Sequence, residues 1–297
     1  MSAASTGPEV GTLIIAGTTG SGKSALAVRL ARAHDAVIVS ADAMTVYRGL
    51  DIGTAKPTIE ERGDIPHFGF DIRSIHEPFD VSHFVSLVDT VRAKHPRVII
   101  AGGTTFWLSA LVRPLAVLPA SEPTLRAELE RLADPHAELA KVDAEAANRL
   151  HPNDRVRVIR ALEVFHLAGE PQTALHARGP RRRALDAPVI WLDRDDLRER
   201  IEQRVSQMLH QGYIEETREA LRHDPEGHSK PLQSFAYRHI VAHIRGDIDL
   251  PEAERRTVRD TWHYARKQRT WARGLEWTIT PTAVIDKAAE STLSPKD

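Results

Sequence analysis

The chain of 297 residues has no cysteine, which excludes a disulfide framework, a Cys-ligated zinc site and a thiol nucleophile, and fits a reducing compartment. It also has no long apolar run. Thr12 to Ala16 and Val98 to Ala101 fall far short of the roughly 20 residues that a membrane span needs, so no span is predicted. The amino terminus, MSAASTGPEV, carries neither a basic n-region nor an apolar h-region. Nothing there marks the chain for secretion, and residues 1–10 read as a loose tail on a cytoplasmic protein. An excess of one charge is missing as well, since the net charge is -1. Hydrophobic residues at 41% and charged residues at 27% leave a globular chain, neither disordered nor fibrous.

The neutral average hides segregation. Residues 149–183 hold Arg149, Arg155, Arg157, Arg160, Arg178, Arg181, Arg182 and Arg183 against Asp154, Glu163 and Glu170, a surplus of five positive charges. Residues 253–273 hold seven Arg/Lys against Glu254 and Asp260, again a surplus of five. One such run is commonly a solvated helix face; two in one chain point towards a polyanion partner.

Periodicity gives the architecture. TLIIAG is a short apolar run ending in a glycine loop, and SALAVRLARAH after it has helical spacing. AVIVSAD reads as a second buried strand that ends in a carboxylate, RVIIAGGTT as a third that ends in glycines, and PVIWLDR as a returning strand. Strands alternating with helices predict an α/β fold, a P-loop NTPase-like parallel sheet flanked by helices, with its ligand at the carboxyl ends of the strands. Prolines 114, 119 and 123 break the pattern, and the following residues read as helices alone, which predicts an all-helical insertion domain at 122–183. The core domain then comprises 11–121 and 184–282. Asp195 to Arg222 and Leu250 to Gly274 read as long amphipathic helices, and 283–297 as a polar tail.

The glycine loop is GTTGSGKS, residues Gly17, Thr18, Thr19, Gly20, Ser21, Gly22, Lys23 and Ser24. In this pattern the glycines let successive backbone N–H groups turn onto phosphate oxygens while the next helix directs its positive end at the same place. Lys23 is expected on the terminal phosphate and Ser24 on a bound Mg²⁺. The ligand therefore carries at least a diphosphate. What reacts is a separate matter. P-loop proteins that move a γ-phosphoryl group hold their metal with an acid at the end of a hydrophobic strand. RVIIAGGTT ends in Gly102, Gly103 and Thr104 without one. Asp42, at the tip of the second strand, is placed to act as a general base on an incoming nucleophile; on position alone, a turn or helix N-cap role stays open. His67, Asp71 and His76 have the spacing of no helical or hairpin metal set.

GTTGSGKSALA, SADAMTVYRGLDIGTAKPT, IPH followed by FDIR, VIIAGGT, LPASEPTLRAELE, HPNDRVRVIRALEVF and KQRTWARG occur in order from Gly17 to about Gly274. In this set, of which YRGLDIGTAKP and HPNDRVRVIRALEV are the most specific members, the chain resembles the bacterial tRNA dimethylallyltransferases (tRNA isopentenyltransferases). The resemblance implies transfer of a five-carbon allyl group from dimethylallyl diphosphate to N6 of the adenine just 3′ of the tRNA anticodon. It implies that Asp42 is the base, Thr104 a hydroxyl near the reacting centre, Arg126 a pyrophosphate contact, and Thr19 a further diphosphate ligand with Arg204 a weaker one. It implies contacts to the anticodon stem-loop from Asp42, Ala43, Met44 and Thr45, from Arg157 and Arg160, and from Gln233, Tyr237 and Arg238, in a monomer. His67 matches a family position with a loop-ordering role. Of the basic helix, Trp262, Tyr264 and Trp271 read as partial core before base-stacking platforms.

The chain departs from the family pattern in places. Thr18 stands where proline is usual, Ala43 where serine is, and Gln233, Phe235 and Ala236 where Arg, Val and Gly are, while Trp262 stands where Arg is common. Three other readings use the same loop: an isopentenyltransferase acting on free adenylate, a small-molecule kinase with Asp42 as base, and an RNA-binding protein gated by nucleotide.

Overall fold

The computed structural model describes residues 11–179 and 183–294, and the chain divides into two compact units at 112/113 and 185/186. The tail expected at 1–10 lies outside the described residues, as do Arg181 and Arg182 of the first basic run. In chain order the first unit begins with β1 (Gly11–Gly17), α1 (Lys23–His34), β2 (Val37–Ser40), α2 (Ile59–Arg62), β3 (His67–Phe68), α3 (Val81–Arg92), β4 (Arg97–Gly102) and α4 (Thr105–Val112). The second unit supplies α5 (Pro123–Glu130), α6 (Pro135–Val142), α7 (Ala144–Arg149), α8 (Arg155–Ala168) and α9 (Gln172–Ala177). The first unit resumes with β5 (Val189–Leu192), α10 (Leu197–His210), α11 (Tyr213–His223), α12 (Arg238–Ile244), α13 (Leu250–Gly274) and α14 (Thr282–Leu293).

The sheet is parallel throughout, in the order β3-β2-β4-β1-β5. Its strands read as unbroken apolar runs because helices cover both faces, so neither side needs polar residues. Leu13 pairs with Ile99, and Ile38 with Ile99 on its other side. Leu13, Ile15, Ile38, Ile99 and Ile190 then pack with Ala27 and Leu30 of α1. Because the strands run in one direction, the ends of β1, β2, β4 and β5 gather at one edge, and their loops carry Thr18, Asp42, Thr104 and Asp193. This is where a parallel α/β sheet takes its ligand.

Three expectations change. The two-residue strand β3 is too short to leave a periodic signal, yet it pairs with Ile38 and Val39 and extends the sheet by one strand. His67 sits on it, with Nδ1 2.7 Å from the Ile65 carbonyl, an ordering role. The amphipathic stretch from Asp195 to Arg222 is two helices, since Gly212 adopts φ 104°, a left-handed turn that α-helix cannot continue. The segment expected as a polar tail forms α14. Ile285, Ala289 and Leu293, spaced by four residues, are buried against β1 and α1. Among the described residues no helix is long and apolar enough to cross a membrane.

The second unit is helical. Leu129, Leu139, Val158, Ile159 and Leu162 form its core. Four of its helices begin on an acidic cap. Glu122, Asp134, Asp143 and Asp154 accept first-turn N–H groups of α5, α6, α7 and α8, which accounts for acids placed just before each apolar run.

Candidate active site

Between β1 and α1 the loop Gly17–Ser24 turns through Gly20 (φ 80°) and Gly22 (φ 91°), conformations that a side chain would strain. A Cβ on Gly17 would lie 2.6 Å from the Leu192 carbonyl, so the loop enters pressed against the end of β5. Lys23 donates to the Thr18 carbonyl (3.1 Å). Burial, helped by the neighbouring Arg204 and opposed by Asp42, pushes its ammonium pKa down to about 8. Ser21 Oγ is buried with no protein partner, an unsatisfied hydroxyl inside the loop of the kind that a phosphate oxygen completes. Ser24 is exposed at the start of α1. Among the described residues no cluster of three His, Cys, Asp or Glu side chains is arranged to hold a metal. The Ser24 hydroxyl could hold a divalent ion only together with oxygens of a bound diphosphate, an all-oxygen donor set of the kind Mg²⁺ takes.

Helix α10 lies along the loop. Arg204 Nη1 donates to Thr19 Oγ1 (3.0 Å), and Arg200 Nε donates to the Gly20 carbonyl (3.1 Å). Arg204 is half-buried, and its desolvation lowers its pKa against the pull of Asp42 and Glu61. Both guanidinium groups thus reach the loop from α10. Arg126 belongs to the second unit, where its Nε pairs with Glu130 (3.2 Å) on α5.

Opposite the loop stands the tip of β2. Asp42 Oδ1 accepts the Met44 N–H (2.8 Å), so its turn role is real. That bond takes one oxygen of the carboxylate, and the same group partly offsets the burial that lowers the pKa of Lys23 and Arg204. Thr104 Oγ1 accepts the Ala43 N–H (3.0 Å), and Thr104 N–H donates to the Ala41 carbonyl (3.0 Å), which locks the β4 tip to the β2 tip. A Cβ on Gly102 would meet the Ala41 carbonyl oxygen at 2.1 Å. The strand end that would carry a metal-binding acid thus has no room for a side chain.

Sequence reasoning missed the contribution of α13. Gln268 Oε1 accepts the Thr19 N–H (3.0 Å) and its Nε2 donates to the Gly103 carbonyl (2.7 Å). Tyr264, one turn earlier, donates to the same carbonyl (3.1 Å), and burial with the Asp42 charge pushes its phenol pKa well up. Asp193 at the end of β5 accepts Thr18 Oγ1 (3.0 Å) and pairs with Arg269 (2.7 Å), so Thr18 places a hydroxyl where proline has none. The signal for Gln268 was its register, since Ala265, Gln268 and Ala272 share the buried face of α13.

The residues expected to meet RNA separate into two groups. Asp42, Ala43 and Met44 are half-buried at the strand tips, and Gln233, Arg238 and Arg157 are exposed. Arg238 pairs with Asp260, whose carboxyl resists burial because Arg238, His239 and Arg259 hold it well below the usual range. Thr45 is not surface; it is 4% exposed and bonds Ser40 Oγ (3.1 Å). Tyr237 is fully buried, with its hydroxyl donating to Glu216 (2.7 Å) and its ring packed on Tyr213, so it supports the loop and does not face RNA. Arg160 also departs from an open phosphate-gripping face. It pairs with the fully buried Glu163 (2.6 Å), which accepts the Glu122 N–H (2.8 Å) as well. Trp262 packs against the core and Tyr264 is tied to Gly103, whereas Trp271 is 44% exposed beside Phe106.

Known proteins match this arrangement over nearly the whole chain. The model of the IPP transferase family matches residues 45–275. A tRNA dimethylallyltransferase of Trichlorobacter lovleyi is 42% identical, covering 93% of this chain and 97% of its own. One from Anaeromyxobacter dehalogenans is 40% identical, covering 96% and 97%. The solved tRNA isopentenylpyrophosphate transferase of Bacillus halodurans superposes with a TM-score of 0.66 at 29% identity, covering 96% of this chain and 97% of that one. A eukaryotic dimethylallyltransferase acting on tRNA shares the fold, with a TM-score of 0.75 at 24% identity, over 90% of this chain and 72% of its own. The phosphate loop, the acid-free β4 tip and the family match together place this chain in the IPP transferase family.

Proposed function

We propose that this chain transfers the dimethylallyl group of dimethylallyl diphosphate to N6 of the adenine immediately 3′ of a tRNA anticodon, and releases diphosphate. The observation that carries the reading is a phosphate loop ringed by Lys23, Arg204 and Ser21 that meets the β4 tip, where a Cβ on Gly103 would lie 3.6 Å from Lys23 Cε, while Thr104 beside it ties that tip to the Asp42–Ala43 turn. Cleaving the allylic C1–O bond sends its electron pair to the pyrophosphate and spreads positive charge over the allyl fragment. Loop N–H groups, Lys23 and Arg204 stabilise the departing anion. N6 is a weak nucleophile because the purine delocalises its lone pair. As the N6–C1 bond forms, the Asp42 carboxylate accepts the N6 proton, and Thr104, tied to Ala43, keeps the two strand tips in register. Ser24, with the diphosphate, would hold Mg²⁺, which would supply charge neutralisation to the leaving group.

The adenine must leave its stack to reach the strand tips, at a cost of a few kcal/mol that contacts to the flanking RNA offset. Arg157, Gln233, Arg238 and the solvated arginines of α13 are the side chains with the exposure to make them. Donor and acceptor residues lie on one chain, which acts in this reading as a cytoplasmic monomer. A kinase is disfavoured because Gly102 leaves no space for the metal-binding acid.

Incubating the protein with labelled dimethylallyl diphosphate, Mg²⁺ and either tRNA or AMP tests the proposal. Label is expected in tRNA alone. Label in AMP alone would move the acceptor to a free nucleotide, and label in neither would overturn allyl transfer. Asp42→Ala is expected to lower the transfer rate by about 10²–10⁴-fold with tRNA binding within a few-fold of the parent.

A further inference from the structure

We infer that Gln268 is the positioning residue of the phosphate loop, and that α13 braces the loop against the β4 tip through this one amide. The inference rests on the donor-site reading above.

Gln268 is 1% exposed in the middle of a basic amphipathic helix, where an apolar residue would satisfy packing alone. Both ends of its amide are used, and they face different parts of the site. Oε1 takes the Thr19 N–H at 3.0 Å, and Nε2 gives to the Gly103 carbonyl at 2.7 Å. A glutamine has the acceptor and donor needed to join an N–H on one segment to a carbonyl on another. A Cβ on Gly103 would lie 2.4 Å from Nε2, so the β4 tip is shaped around this contact.

The bridge decides which loop amides remain for phosphate. Thr19 N–H, inside the phosphate-binding sequence, is engaged by Gln268 and withdrawn from the anion. The Thr19 hydroxyl is meanwhile held by Arg204. Thr19 is thus fixed at backbone and side chain, which sets the orientation of Gly20, Ser21 and Gly22 beyond it. Arg269, adjacent on the helix, fastens the preceding residue through Asp193 and Thr18. Tyr264 repeats the hold on Gly103. A loop held at successive residues by one helix meets a diphosphate already shaped for it, and removing the central hold raises the ordering cost of binding.

The test uses the full chain with inorganic pyrophosphate and Mg²⁺ as probe, and tRNA as the control ligand, with kcat and both KM values measured alongside. Gln268→Met keeps volume and removes both hydrogen bonds. It is expected to weaken pyrophosphate binding about tenfold and raise the KM for dimethylallyl diphosphate similarly, with tRNA affinity within twofold of the parent. Gln268→Glu keeps the acceptor for Thr19 but sets an ionised oxygen against the Gly103 carbonyl. Only its protonated form restores the donor, so its pyrophosphate affinity relative to the parent is expected to recover as pH falls from 8 towards 5.5. A pure packing role predicts no split between pyrophosphate and tRNA for Gln268→Met, and a mere charge effect in Gln268→Glu predicts that neutral Gln268→Met keeps parent pyrophosphate affinity. Equal loss of tRNA and pyrophosphate affinity, pyrophosphate binding by folded Gln268→Met within twofold of the parent, or a pH-independent ratio for Gln268→Glu overturns the inference; if Gln268→Met does not fold, the Gln268→Glu ratio alone decides. If neither variant folds, the amide is a folding requirement and the inference fails. Parent protein that does not bind pyrophosphate overturns the donor-site reading itself.

Discussion

Replacing Glu216 with alanine tests how the loop after Asp42 is held. The Glu216 carboxylate, on α11, accepts the N–H groups of Asp51 and Ile52 (2.7 Å each), the Gly53 N–H (2.9 Å) and the buried Tyr237 hydroxyl (2.7 Å). Gly53 is pressed onto the rings of Tyr213 and Tyr237, where a Cβ would meet ring atoms at 2.4–2.8 Å. Water can replace the carboxylate at the exposed Asp51 N–H and partly at Ile52, and the two bonds together are worth about 1 kcal/mol. The Gly53 N–H and Tyr237 hydroxyl lie deeper, and each costs about 1–3 kcal/mol when orphaned. Glu216→Ala should therefore destabilise the protein by about 4 kcal/mol, or roughly 8–16 °C in unfolding midpoint at about 2–4 °C per kcal/mol. Glu216→Gln retains one acceptor oxygen and turns an NH₂ onto donors, so about half the loss is expected. Thermal unfolding, together with hydrogen exchange at Ile52 and Gly53, measures both. A Glu216→Ala midpoint within about 2 °C of the parent, with unchanged exchange at those amides, would refute the clamp.

Lys23 should impose a pH dependence on donor binding. With its free-state pKa near 8, the ammonium is lost as pH rises, while a bound diphosphate holds the proton on. The KM for dimethylallyl diphosphate should be level just below pH 8 and rise up to tenfold per unit above it, and Lys23→Arg should abolish the rise; a flat parent profile to pH 9.5 would contradict it. Because that pKa lies below the unfolded value of 10.5, the same group makes the empty protein gain stability as pH climbs from 8 towards 10.5, and denaturant titration at the two ends checks the sign. Leu293→Ala, in the segment that sequence alone reads as a tail, should cost about 2–4 kcal/mol in unfolding experiments and leave both KM values unchanged. Removing Mg²⁺ with a chelator should abolish allyl transfer but leave tRNA binding within about twofold, as measured by filter binding.

Much of the candidate donor site was legible because its pattern is local. Gly20, Gly22, Lys23 and Ser24 lie within one turn of chain, and the absence of an acid after Ile100 and Ala101 is visible in the strand itself. Asp42 was legible as a strand tip for the same reason. What stayed hidden depends on distance along the chain. Glu216 meets Gly53 across 163 positions, and Gln268 meets Thr19 across 249, so no local pattern encodes either pair. The burial of Tyr237 and Thr45, which the family resemblance implies as RNA contacts, stayed hidden because their partners, Glu216 and Ser40, appear only when the helices and strand tips assemble. The tail helix was missed for a related reason: three apolar residues among polar ones are unremarkable until β1 and α1 are seen to need a cover.

The tight seat of Gly102 also bears on how such a protein can change over generations. An aspartate at the β4 tip would bring its Cβ to 2.1 Å from the Ala41 carbonyl oxygen, so the β2 tip that carries Asp42 would have to move first. A single substitution at that glycine would therefore displace the strand tip that carries Asp42.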